Sequence, residues 1–325
     1  MKRILLFKFG ALGDVLMATP MLRQTRRAFP KAQIDFQVAK PFAIALQGNS
    51  HLDSVGTFDP TIFTEHRIEE ALGLARNIRR GGYDAIFVMD KHPVFALIAR
   101  VAGVPLRVGF TRDFSARLFL THTAPFCELR HDVHYNLDLL KAIDVEVDYE
   151  DTRMEFNRVG VTVEKPAESY FACTNSGGEN ARENTGIRRL PTASFLELLT
   201  NLSARQTTVL LGGKSDCDYY NSLSLPDNIR NLAGKTSLAE CAEIIAGADK
   251  FFTTDCGLMH LAATTETPIC AFFGPTHPAR KAPQRENVRM LWADAAIYDP
   301  EYDRRGRLRS SKRYFQTLAI ADCAG

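Results

Sequence analysis

Ile4-Leu5-Leu6-Phe7-Lys8-Phe9-Gly10-Ala11-Leu12-Gly13-Asp14 is the stretch on which the reading of the fold turns. Its near-continuous apolar run predicts a strand over 4–9, buried on both faces as in a parallel sheet. Gly10 and Gly13, three apart, let the backbone turn tightly and let another molecule approach it closely. A helical start follows, so the segment is one strand–turn–helix step of an α/β fold. Asp14 is a carboxylate at the mouth of that strand, where it can take a proton from a bound hydroxyl. It serves equally well as a cap for residues 15–18.

The same step recurs along the chain. Strands are predicted over 33–38, 54–58, 85–89 and 106–109, with helices over 19–29, 65–80 and 131–143. Thr19 is expected to cap the first of these helices, with Pro20 at its first position. The stretch 144–169 is acidic, then polar, with Gly160 and Pro166 and no helical period, so the domain junction is expected there. The pattern then restarts, with strands over 170–174, 207–211, 250–254 and 269–273. Helices over 192–204, 238–246 and 257–264 alternate with them, and Ser237 with Glu240 forms a capping box. Two such arrays predict two Rossmann-like domains, over 1–160 and 168–325, facing a central cleft. Ligands are then expected beyond the carboxyl ends of the strands.

Composition narrows the function classes. The 325 residues suit two domains, and 45% hydrophobic with 24% charged residues is globular. Forty basic against 38 acidic residues argue against a nucleic-acid partner. No apolar window reaches membrane-spanning length. Lys8 and Asp14 interrupt the amino-terminal apolar run before any cleavage site, which argues against a signal peptide. Seven scattered cysteines without a CxxC pair predict reduced thiols in the cytoplasm, with neither disulfide framework nor zinc site. A nicotinamide-dependent oxidoreductase is excluded because the G-x-G-x-x-G fingerprint is missing and Asp35 falls inside the second strand.

Two further strand-end loops could carry chemistry. Thr254-Asp255-Cys256-Gly257-Leu258-Met259-His260 crosses from a strand into a helix, where backbone N–H groups and the helix dipole suit a diphosphate. The alternatives there are an N-cap role for Asp255 and a core role for His260, and Cys256 is expected to be a packing thiol. The loop 175–191 closes with Arg188-Arg189, two cations able to neutralise a leaving diphosphate, unless they form a solvated basic turn. Gly212-Gly213 could admit a base or ribose, or be simply a tight turn. Arg100, Arg107, Arg112 and Arg117 are expected on a solvated surface, and the basic tail 304–313 could touch anionic lipid.

Taken together, these loops resemble glycosyltransferase family 9, the ADP-heptose:lipopolysaccharide heptosyltransferases. The resemblance rests on residues 4–15 with Thr19-Pro20, on Arg26-Arg27-Ala28-Phe29-Pro30, and on Asn231-Leu232-Ala233-Gly234-Lys235-Thr236-Ser237-Leu238. It rests above all on Asp255-Cys256-Gly257-Leu258-Met259-His260-Leu261-Ala262-Ala263 followed by Phe273-Gly274-Pro275-Thr276. It implies a GT-B fold, with an acceptor-binding N-terminal domain and a C-terminal domain for the nucleotide sugar. The implied reaction is inverting transfer of a heptose or related sugar from an ADP-sugar to a lipopolysaccharide core acceptor, without metal or cofactor. Asp14 would be the base, with Lys8, Gly10 and Gly13 on the acceptor side. Arg188, Arg189, Gly212, Gly213, Asp255, Cys256, Gly257, Leu258 and His260 would hold the donor. Arg188 stands where many members carry lysine, and Cys256 where a hydroxyl is usual. The implied partners are a nucleotide diphospho-sugar and a lipid-linked core oligosaccharide, met by a cytoplasmic enzyme that touches the inner face of the inner membrane. The competing readings are transfer to protein or another glycan, and a nucleotide-sugar binding module without turnover.

Overall fold

The structure, a computed structural model, describes residues 1–111, 114–126, 129–158, 160–177, 185–292 and 314–315. The chain forms two compact units, Met1–Asn157 and Arg158–Gly325. The first is built on six parallel strands: β1 (Arg3–Lys8), β2 (Gln33–Ala39), β3 (Ser54–Phe58), β4 (Ala85–Val88), β5 (Leu106–Thr111) and β6 (His122–Pro125). They lie in the order β3-β2-β1-β4-β5-β6. The second unit also has six: β7 (Tyr170–Thr174), β8 (Thr207–Leu210), β9 (Ile229–Asn231), β10 (Lys250–Thr254), β11 (Ile269–Phe273) and β12 (Val288–Trp292). Their order, β12-β11-β10-β7-β8-β9, repeats the first. Both units therefore bear out the doubled α/β expectation.

In each unit the first strand is central, two strands are added on one side, and the chain then crosses to the other. The winding reverses between β1 and β4 and between β7 and β10. Helices on opposite faces diverge at such a reversal and leave a crevice outside the carboxyl ends of the two strands. The central strands are continuous apolar runs because both faces are covered. Ile4, Leu5, Leu6 and Phe7 are each at most 1% exposed. The Phe7 ring meets Phe58 and Phe95 edge-on, with centroids 5.7 and 5.6 Å away. The second core gathers Phe195, Tyr220, Phe252 and Phe272, with Phe315 returning to join it.

Several local expectations change. The helix Thr19–Ala28 has Ala18, not Thr19, at its N-cap. The Thr19 hydroxyl instead donates to the Leu16 carbonyl at 2.7 Å and accepts the Glu155 N–H at 2.9 Å. The helix expected over 65–80 runs over Ile68–Arg80, and a separate short helix, Thr61–Thr64, precedes it. His66 between them has φ +55°, a left-handed conformation that no helix continues through. β6, β9 and β12 were not foreseen; all three are edge strands with few fully buried residues, so burial imposes little pattern on them. Arg107 is half-buried at the surface, and its guanidinium donates to the carbonyls of Phe119, Val104 and Pro105. Arg112 and the tail 304–313 lie outside the described residues. Among the described residues no helix is long and apolar enough to cross a membrane.

Candidate functional site

The β1/β4 reversal opens into a cavity of about 160 Å³ whose walls include Lys8, Asp14, Asp90, Lys91, Asp132 and Asn136. Lys8 is the last residue of β1 and is only 7% exposed. Its Nζ donates to the Met89 carbonyl at 3.3 Å and lies 3.9 Å from Asp90 Oδ1. Asp14 sits in the first turn of the helix Leu12–Leu16, and its Oδ2 accepts the Ala11 N–H at 3.2 Å. The local capping role and a place on the cavity wall thus coexist in one carboxylate. Gly13 is buried within that helix.

Gly10 has φ +144°, and a Cβ there would lie 2.1 Å from the Phe42 ring. Phe42 is thus a close neighbour that demands glycine at this position. Asp90, Lys91 and Asp132 were missed from sequence. The signal for Asp90 and Lys91 was available in Met89-Asp90-Lys91-His92, a charged turn directly after a predicted strand, whereas Asp132 opens the helix Asp132–Lys141. Burial pushes the pKa of the Asp90 carboxyl up; the Lys8 ammonium and the Phe9 N–H oppose the rise, and the Asp14 charge adds to it.

The β7/β10 reversal joins two of the loops singled out from sequence. The Thr254 hydroxyl donates to the Ser176 carbonyl at 2.6 Å, tying the mouths of the two strands together. Asp255 is 5% exposed and lies with its Oδ2 3.9 Å from Arg188 Nε. Cys256, not Asp255, is the N-cap residue of the helix Gly257–Ala262. The Cys256 thiol is buried, its pKa is pushed up by burial to about 11, and its sulfur lies 3.6 Å from the Thr253 hydroxyl. A thiol held so far from ionisation packs rather than attacks, as expected. Gly257 and Leu258 are half-buried, and His260 is only 3% exposed.

Arg189 and the Gly212-Gly213 turn form a separate group. Arg189 Nη2 meets Asp216 Oδ1 at 2.6 Å, and the guanidinium lies 4.9 Å from the centre of the Tyr219 ring. Asp216 Oδ2 accepts the Gly213 N–H at 2.9 Å, and a Cβ on Gly212 would lie 2.6 Å from Asp216 Cβ. The tight-turn alternative therefore describes Gly212: the space beside it is filled by the chain itself. Among the described residues no cluster of three or more His, Cys, Asp or Glu side chains is placed to hold a metal ion.

Comparison with known proteins agrees with this architecture. The sequence pattern of glycosyltransferase family 9 (heptosyltransferase) matches residues 71–309. The chain is 25% identical to lipopolysaccharide heptosyltransferase 3 of Escherichia coli K12, covering 95% of this chain and 92% of that one. It is 23% identical to lipopolysaccharide heptosyltransferase 2 of the same strain, over 89% and 87% of the two chains. In fold it is similar to the family 9 glycosyl transferase of Veillonella parvula DSM 2008, with TM-score 0.74, 20% identity and coverage of 89% and 85%. An Escherichia coli heptosyltransferase solved with ADP matches with TM-score 0.72 and 19% identity over 89% and 92%. With the family pattern spanning most of its length and the doubled parallel sheet in place, the chain belongs to glycosyltransferase family 9, the heptosyltransferases, and is a glycosyltransferase.

Proposed function

We propose that the enzyme transfers a heptose, or a closely related sugar, from an ADP-sugar to a lipopolysaccharide core acceptor, with inversion and without a metal. The family and the lipopolysaccharide heptosyltransferases it resembles support the substrate class. The observation that carries the mechanism is that Asp14 and Lys8 share one polar cavity at the β1/β4 reversal. An acceptor hydroxyl seated there gives its proton to the Asp14 carboxylate as its oxygen forms the new bond to the anomeric carbon. Attack from the face opposite the diphosphate inverts that carbon. The bond from the anomeric carbon to the diphosphate oxygen breaks, and ADP leaves with the electron pair.

The second unit takes the donor in this reading. Arg188, together with the N–H groups of the turn Asp255-Cys256-Gly257-Leu258, meets the charge that develops on the departing diphosphate. Asp255 holds Arg188 in place, and His260 supports the turn from within. Arg189, Gly212 and Gly213 shape the adjoining wall through Asp216. The acceptor is lipid-linked, so the enzyme works in the cytoplasm against the inner face of the inner membrane.

Asp14→Asn tests the reading directly. Transfer should fall by about 10²-fold or more, because an amide cannot take the proton, while ADP affinity measured by calorimetry stays the same. Unchanged turnover would remove Asp14 from the mechanism. The anomeric configuration of the product, read by NMR, and activity in excess chelator test inversion and metal independence. A panel of core oligosaccharide, protein and other glycan acceptors separates the proposed acceptor from its rivals. ADP binding with no acceptor-dependent ADP release would mark a binding module instead. Co-sedimentation with anionic vesicles tests the membrane contact.

A further inference from the structure

The cavity at the β1/β4 reversal holds more ionisable groups than a single base requires. Asp90 grips both residues from which the turn to Asp14 departs. Its Oδ1 lies 3.9 Å from Lys8 Nζ, and its Oδ2 accepts the Phe9 N–H at 2.5 Å. The pair is screened from water, with side chains 9% and 17% exposed. Asp14 opens on the same cavity just beyond the turn. The other charged or titratable groups facing it are Lys91 from the exit of β4 and Asp132 and Tyr135 from the helix Asp132–Lys141.

We infer that Asp90 is a positioning residue for transfer: through Lys8 and Phe9 it fixes the turn that carries Asp14 and offsets the ammonium charge on the wall of the same cavity. This rests on the reading of Asp14 as the base. A base must be ionised at working pH yet still basic enough to take a hydroxyl proton. The Lys8 charge alone would stabilise ionised Asp14 and weaken it as a base, whereas an Asp90 anion alone would hold a proton on it. Together the two leave a nearly neutral background. Because charge coupling is reciprocal, the influence of Asp14 on Asp90 implies an equal influence in return.

The experiment is the pH dependence of kcat, with ADP-heptose and core acceptor, for Asp90→Asn, Lys8→Gln and the double variant. Asp90→Asn keeps the shape of the side chain and leaves the ammonium uncompensated. The acidic limb should move to lower pH by about half a unit or more. Plateau kcat should fall about fivefold or more, with the donor KM within about twofold of wild type. Lys8→Gln should move the limb the opposite way, so it carries the test if Asp90→Asn does not fold.

The double variant should return the limb towards its wild-type position, which a merely loosened fold would not do. A limb that stays in place in both single variants overturns the inference, as does a change confined to the donor KM. Asp14→Asn separates the failures. If that variant still transfers sugar, the base reading and this inference fall together. If it is inactive while Asp90→Asn leaves the limb unmoved, only the role of Asp90 is lost.

Discussion

Arg188 and Asp255 come from turns 67 positions apart in the chain and stand 3.9 Å apart at the mouth of one sheet. Asp255 Oδ2 is buried with no hydrogen bond, and the Arg188 guanidinium is the cation beside it. Removing one member of a buried pair costs more than removing both, because the survivor is left uncompensated. Arg188→Ala is therefore expected to lower stability by about 2 kcal/mol and to raise the donor KM about tenfold. Adding Asp255→Asn should recover the stability but not the donor affinity, a separation read by thermal melts and ADP calorimetry. Recovery of both would make the pair purely structural. The residue types were legible in advance, since strand-end turns with glycine, acid and base stand out. Their partners were not: that Asp216 takes Arg189 while Asp255 takes Arg188 follows from packing alone.

The helix Thr19–Ala28 shows how an element acquires a partner invisible to local pattern. Thr19, Arg23 and Arg27 repeat every four residues, and together with Gln24 they bind the segment 148–155. Gln24 exchanges two hydrogen bonds with the Asp148 backbone, at 2.7 and 2.9 Å. Arg23 Nη1 reaches Glu155 Oε1 at 2.7 Å, and both Arg23 and Arg27 bond Asp151. Burial pushes the Asp151 carboxyl up, but Arg23 and Arg27 outweigh it and hold its pKa below the ordinary value. A depressed carboxylate contributes stability that is present above its unfolded pKa and is lost as pH falls through the folded one. Wild type should therefore lose about 1–2 kcal/mol more than Asp151→Asn between pH 5 and pH 3, followed by melting temperature. Equal losses would assign the acid sensitivity elsewhere. By contrast, the capping box that opens the helix Leu238–Ala246 was readable from spacing: the Ser237 hydroxyl accepts the Glu240 N–H at 3.2 Å, and Glu240 returns the bond at 2.7 Å. Ser237→Ala should cost about 1 kcal/mol and leave kcat unchanged; a larger effect on rate than on stability would contradict a purely local role.

At the scale of the molecule, one doubly wound strand order occurs twice, and each copy puts a charged group at its own reversal. If the second unit takes the donor, ADP at 100 times its Kd should stabilise that unit by about 2.7 kcal/mol. Amide exchange should then slow in β7, β10 and the helix Gly257–Ala262 while β1 amides keep their rates. Protection appearing first in β1 would exchange the roles of the two units. The sequence alone determined the α/β class, the central buried strands and the residue types of the turns after β1 and β10. Burial on both faces writes itself as uninterrupted apolar runs, and sharp turns demand glycine. Only the tertiary structure decided that β4 lies beside β1, which brings Asp90 and Lys91 to Lys8 and Asp14. Strand order is set by which sheet edge each crossover returns to, and that choice leaves no periodic trace in the chain.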